Sequence, residues 1–212
     1  MLITLEGIEG SGKTSQIPPL RKFLERQGYR VLMIREPGGT PIGDQVRDIL
    51  LSLKNTAMHT RTEILLFQSS RAQLVEQVII PHLSDGYLIL CDRYADSTLA
   101  YQGYGYQEFS PDEIKPLVNF ATGGLKPDLT LFLDVEVEQG LKRREQGGGW
   151  NRLDDYDLDF YARVRRGYQE MLQQEPERWV RIDAGQAPEQ VQADLRRVVM
   201  KVLSSRAKLY KD

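Results

Sequence analysis

Gly7-Ile8-Glu9-Gly10-Ser11-Gly12-Lys13-Thr14 is the stretch on which the reading of this chain turns. Its glycines, lysine and threonine keep the spacing G-x-x-x-x-G-K-[ST]. Its flanks fit as well: the apolar residues 2–5 read as a strand and residues 15–27 as a helix. Glycine lets the backbone wrap closely around phosphate oxygens, where a Cβ would collide. The amides then converge at a helix N-terminus, which favours anions. In such a phosphate loop Gly7, Ile8, Glu9, Gly10, Ser11 and Gly12 surround the phosphates of a nucleotide. Lys13 reaches the β and γ oxygens, and the Thr14 hydroxyl is offered to Mg2+.

Outward from the loop, short apolar runs alternate with longer helical patterns. Residues 31–34, 87–91, 129–135 and 179–182 read as further strands, and residues 62–83, 111–121, 136–144, 158–174 and 188–203 as helices. This order predicts an α/β chain with the P-loop NTPase fold, a five-stranded parallel sheet with helices on both faces. Residues 1–212 are expected to form a single domain. Ligands in such sheets bind beyond the carboxyl ends of the strands. Two glycine-rich segments, Pro37-Gly38-Gly39-Thr40-Pro41 and Gly147-Gly148-Gly149, read as loops.

The bulk numbers exclude several classes. A formal net charge of -2 over 212 residues lacks the basic footprint of a nucleic-acid binder. The single cysteine, Cys91, allows no disulfide within the chain, which fits a reducing compartment. The N-terminus lacks a basic region followed by an apolar stretch, and no apolar run nears the ~20 residues that span a bilayer. A cytoplasmic protein without membrane or nucleic-acid partners is expected. His59 and His82 receive no role.

A phosphate loop names a ligand class and leaves the reaction open. Residues 87–91 end in Asp92, a carboxylate placed to hold Mg2+ or its waters. Water-splitting motors usually carry Glu after such an Asp, and this chain carries Arg93, a residue suited to bridging donor and acceptor phosphates. No Asn-Lys-x-Asp segment reads guanine. Asp183-Ala184-Gly185-Gln186 is one residue short of the corresponding GTPase segment and reads as a loop beside the adenine. Phosphoryl transfer to a nucleoside monophosphate, transfer to another small acceptor, and a nucleotide-driven switch all remain open at this point.

Within residues 62–78, Ile64, Phe67, Arg71, Leu74 and Val78 share one helical face. Arg71 interrupts an apolar stripe. It either snorkels to water or meets a polar partner, with Phe67 one turn earlier able to stack on a base. Arg35-Glu36-Pro37-Gly38-Gly39-Thr40 follows the second strand, and Ser97 and Tyr101 lie one turn apart after the third.

Together these segments resemble the bacterial thymidylate kinases. The matching pieces are Leu5-Glu6-Gly7, Arg35 to Thr40, Asp92-Arg93-Tyr94, Ser97 to Gln102, Lys126-Pro127-Asp128-Leu129-Thr130, Leu133-Asp134-Val135 and Asn151-Arg152-Leu153-Asp154. The resemblance implies phosphorylation of dTMP to dTDP with ATP and Mg2+, in a homodimer. It implies that Phe67 stacks on thymine, that Arg71 contacts a base carbonyl, and that Gln102 lies at the base edge. Tyr101 then sits against C2′ and disfavours a ribose hydroxyl. Arg35 and Arg93 hold the acceptor phosphate. Glu9 and Glu36 lie near the sugar hydroxyl or phosphate waters, with Pro37, Arg47 and Ser97 on the same side. Arg144 and Gln186 fall on the ATP side. The loop carries no arginine at positions 8 to 11, so the catalytic arginine is expected in a flexible lid at about residues 143–155. Arg143, Arg144 and Arg152 are the candidates, and the Asn-Arg-Leu-Asp context favours Arg152.

Overall fold

The computed structural model describes residues 1–147, 151–154 and 156–209. Five strands form one parallel sheet: β1 (Leu2–Glu6), β2 (Val31–Arg35), β3 (Leu88–Asp92), β4 (Leu129–Asp134) and β5 (Trp179–Asp183), in the order β2-β3-β1-β4-β5. The three inner strands are apolar along nearly their whole length because helices cover both faces of the sheet. Leu2, Ile3, Leu5, Leu90 and Leu131 are fully buried. β1 is the middle strand, paired to β3 through Leu5–Asp92 and to β4 through Glu6–Phe132. This register gathers Glu6, Arg35, Asp92 and Asp134 at one edge, where the chain leaves each strand.

Nine helices are described. α1 (Lys13–Arg26) starts directly from the phosphate loop, and α9 (Pro188–Leu209) packs against it over one face of the sheet. α3 (Thr60–Leu74) runs through a π-helical turn, Val75–Ile79, into α4 (Ile80–Ser84). α5 (Ala95–Thr98) continues as a π-helical segment, Leu99–Gly105. α6 (Pro111–Thr122) packs on α3, and α7 (Val137–Gln146) on α8 (Leu158–Gln174). A 3-10 turn, Arg152–Asp154, precedes α8.

The remaining helix, α2 (Pro41–Leu51), departs from the sequence reading, which ended the glycine-rich loop without one. Its start is locally well specified. The Thr40 side chain accepts from the Gly43 amide, and Pro41 fills the first turn, where its missing N–H costs nothing. α2 packs on α3 and forms one wall of the cleft described next. Residues 148–150 and 155, part of the expected lid, lie outside the described residues.

Candidate active site

The phosphate loop joins the middle strand to α1, as its motif requires. Gly10 adopts φ 68°, and a Cβ there would stand 1.8 Å from the carbonyl oxygen of Gly140. The loop is therefore pressed against α7, and only glycine fits. Lys13 folds back over the loop, donating to Gly7 O at 2.9 Å, Ile8 O at 2.9 Å and Ser11 Oγ at 3.1 Å. Burial, with Arg93 nearby, lowers its pKa to about 8. Thr14 Oγ1 donates to Asp92 Oδ2 at 2.7 Å, which brings the two expected Mg2+ residues together across β3 and α1. An open cleft beside the loop is lined by residues 10–16, Arg143, Arg144 and Gln186.

A second cleft, about 690 Å³ with its open mouth, begins at Glu9 and is walled by Glu36, Pro37, Arg47, Phe67, Arg71, Arg93, Ser97, Tyr101 and Gln102. Ten of the eleven sequence-assigned acceptor residues thus face one space, Arg35 being the exception. The two clefts meet where Glu9 adjoins Gly10. Arg93 stands at this junction with φ 67°, a left-handed backbone uncommon for a bulky residue and frequent at functional sites. Its guanidinium donates to Glu9 Oε1 at 2.7 Å, Tyr101 Oη at 3.0 Å and Ser97 Oγ at 3.2 Å. Tyr101 Oη donates in turn to Glu9 Oε2 at 2.5 Å.

Behind Arg93 lies a group to which sequence reasoning gave no role. Glu6, at the end of β1, accepts from Ser97 Oγ at 2.6 Å, Tyr94 N at 2.8 Å and Tyr168 Oη at 2.9 Å. Burial, and then Asp96, raises its pKa to about 7. A folded pKa above the unfolded value means that the folded state holds the proton more tightly. Glu6 therefore stabilises most below pH 4.5, and that contribution, on the order of 3 kcal/mol, fades as pH rises to 7. Urea midpoints compared between wild type and Glu6→Gln at pH 5 and pH 7.5 are expected to show a shallower pH dependence in the variant. Parallel curves would deny Glu6 its raised pKa.

Arg71 does not snorkel. It is 1% exposed and donates to Glu36 Oε2 at 2.6 and 2.9 Å, to Gln68 Oε1 at 2.8 Å, to Thr98 Oγ1 at 3.0 Å and to Tyr94 O at 3.1 Å. Glu36, whose carboxyl burial pushes up in pKa against the opposing pull of Arg71, keeps its other oxygen, Oε1, buried without a hydrogen-bond partner. The polar wall of the cleft is thus one buried ion pair with an acceptor to spare.

Arg35 is placed differently from its sequence expectation. Asp44, in the first turn of α2, takes its guanidinium at 3.2 Å and draws it toward a shallow groove that includes Thr14 and Asp92. Arg47, tied to Pro37 O at 2.9 Å, faces the acceptor cleft instead. The three lid candidates also separate. Arg143 donates to Ala184 O at 2.8 Å, and Arg144 forms a two-pronged pair with Asp154 at 2.7 Å on both arms; both line the cleft beside the phosphate loop. Arg152 lies away from that cleft, donating to Leu50 O at 2.9 Å and Glu63 Oε2 at 2.6 Å. The Asn-Arg-Leu-Asp context could not show this, because both partners are distant in sequence. Gln186 borders the first cleft and donates to Asp183 O and Asp194 Oδ2, each at 2.9 Å.

The family model described as thymidylate kinase matches residues 5–195. A thymidylate kinase of Herpetosiphon aurantiacus is 47% identical, covering 87% of this chain and 89% of its own. One of Roseiflexus castenholzii is 45% identical, covering 97% and 95%. The crystal structure of a thymidylate kinase from Ehrlichia chaffeensis superposes with a TM-score of 0.77 at 32% identity, over 94% of this chain and 98% of that one.

Proposed function

Since the chain belongs to the thymidylate kinase family, whose members phosphorylate dTMP to dTDP with ATP, we infer that its two clefts hold the two nucleotides of that reaction. The observation that carries this assignment is the junction of Glu9, Gly10 and Arg93: the phosphate loop ends one cleft where the other begins. ATP lies along residues 10–16 with Arg143, Arg144 and Gln186 around it. dTMP enters the second cleft, with its ring between Phe67 and the polar wall of Arg71 and Gln102, and its phosphate toward Arg93 and Arg47.

Phosphoryl transfer asks for alignment and charge neutralisation more than for a protein nucleophile. Lys13 leaves the loop carbonyls and follows the β and γ oxygens of ATP. Arg93 holds the acceptor phosphate in line, itself braced by Glu9 and Ser97. Tyr101, fixed between Arg93 and Glu9, presents its ring to the sugar and crowds a 2′-hydroxyl. Thr14 and Asp92 supply hard oxygen donors of the kind Mg2+ takes, keeping some of its waters. Such an ion neutralises charge on the β and γ oxygens when bound. Arg143 and Arg144 line the cleft beside the phosphate loop and Arg152 does not, so we assign the lid arginine to that pair. Arg35 serves at the rim.

We read the chain as one domain with its lid at about residues 143–155. Leu65, Leu117 and Phe120 on α3 and α6 are 54%, 41% and 89% exposed, and this surface supports a homodimer. No helix of the described residues is long and apolar enough to cross a membrane; the lone buried Cys91 suits the cytoplasm.

The test is ADP release from ATP and Mg2+ with dTMP, dUMP, UMP, CMP, AMP or GMP as acceptor. Strong stimulation by dTMP, weaker by dUMP, is expected. Preference for a purine monophosphate would discard the base-cleft assignment while keeping the kinase.

A further inference from the structure

Glu63 stands on α3 one turn before Phe67 and is fully buried, yet nothing above gives it a part in the reaction. Its oxygens receive only donors. Oε1 accepts from Gln102 Nε2 at 2.8 Å and from Tyr106 Oη at 2.8 Å. Oε2 accepts from Arg152 Nη2 at 2.6 Å. All three neighbours of this carboxyl group donate to it, so it acts here as an acceptor only. The Gln102 side chain therefore has one tolerable orientation: its NH2 turns to Glu63. Its carbonyl oxygen is the end left for the cleft that Gln102 lines. Turning the amide over would set oxygen against carboxylate and leave the carboxylate short of a donor.

We infer that Glu63 is a positioning residue for base selection: by fixing the Gln102 amide it presents a hydrogen-bond acceptor to the nucleobase, and so favours rings that carry an N–H at that edge. The inference rests on reading the second cleft as the base cleft. Thymine and uracil offer an imide N3–H to such an acceptor. Cytosine presents a lone pair at N3 and is repelled by it. The polarity of the site is thus set by a residue that touches no substrate, through a chain of one carboxylate and one amide. Arg152 holds the other oxygen of the carboxylate, which gives this arginine a purpose away from the transferring phosphate.

Glu63→Gln tests the idea directly. The new amide turns its oxygen to Arg152 and its NH2 to Gln102, and Gln102 turns over to present NH2 to the cleft. kcat/KM for dTMP is expected to fall roughly 10- to 100-fold, mainly through KM, while that for dCMP holds or rises. The dTMP-to-dCMP ratio then narrows by the same factor. Equal losses for both acceptors, carried by kcat, would mean a merely structural role and overturn the inference. Gln102→Leu should abolish the effect of a second change at Glu63 on that ratio, because the relay then has no end; additive losses would also overturn it. A measurement on the wild-type protein covers the case in which Glu63→Gln fails to fold. With 15N-glutamine labelling and dTMP bound, the Gln102 amide protons are expected to show contacts to Tyr106 and none to thymine. Contacts to the thymine ring would refute the orientation. A wild-type enzyme that accepts no pyrimidine monophosphate would defeat the base-cleft reading itself, ahead of any variant.

Discussion

Lys13→Ala is expected to lower kcat about 100- to 1000-fold, the scale of losing one donor aimed at transition-state charge. The lysine sits on the carbonyls of Gly7 and Ile8, inside the curl of the loop. No neighbour duplicates it, since Arg93 is engaged by Glu9 and Tyr101. Its lowered pKa adds a second signature. Above pH 8 the free enzyme holds part of its Lys13 neutral, and a triphosphate, which favours the charged form, must draw a proton in on binding. ATP affinity is therefore expected to weaken as pH climbs past 8, and this step should vanish in Lys13→Ala. Steady-state kinetics on folded protein, with ATP titrations at pH 7 and 9, check both. Near-normal turnover would remove the loop from the reaction.

Arg71→Leu should have the largest effect on stability. The substitution leaves the Glu36 carboxylate buried, already strained by desolvation, with no cation beside it. Breaking such a pair from one side costs about 3–5 kcal/mol, whereas replacing both members with apolar residues is often nearly neutral. The double variant Arg71→Leu/Glu36→Leu is therefore expected to recover most of the lost stability in denaturant unfolding and none of the acceptor affinity. A single variant as stable as wild type would mean that the ion pair is not what holds α3 to the end of β2. Recovery of dTMP affinity in the double variant would remove Arg71 from the base site.

Much of this architecture could be read from the chain because its strands are buried on both faces. Residues 2–5 and 129–133 have no polar face to confuse the period, and the glycines of the phosphate loop fix where the first strand must turn. The reading failed where local chemistry pointed two ways. Pro37-Gly38-Gly39-Thr40-Pro41 looks like a loop, yet Thr40 and Pro41 are also a helix start, and α2 begins there. The π-helical turn at Val75–Ile79 leaves the apolar period almost unchanged, so one long helix was the natural expectation. Within the site, residue types were legible and partners were not. Arg71 could not be distinguished from a snorkelling arginine without Glu36, which is 35 positions away. Arg35 leaves the acceptor cleft, where Arg47 stays as expected, because Asp44, a single acceptor in α2, takes it. Glu6, Glu63 and Tyr168 matter through contacts with distant segments, for which spacing along the chain carries no sign.

The order of the strands has a consequence for how this protein can fail. Its phosphate loop grows from the innermost of five strands, flanked by β3 and β4, while β2 and β5 form the margins. Opening of a folded protein begins at margins and termini and reaches central strands last. Fraying of β5, or of β2 with Arg35, can occur while the cradle around Lys13 stays whole. The reverse cannot: nothing dismantles the cradle without first dissolving the sheet that carries it. The chemistry and the fold therefore share one fate, and a population of molecules losing structure from its edges inward should remain able to grip a triphosphate until the end.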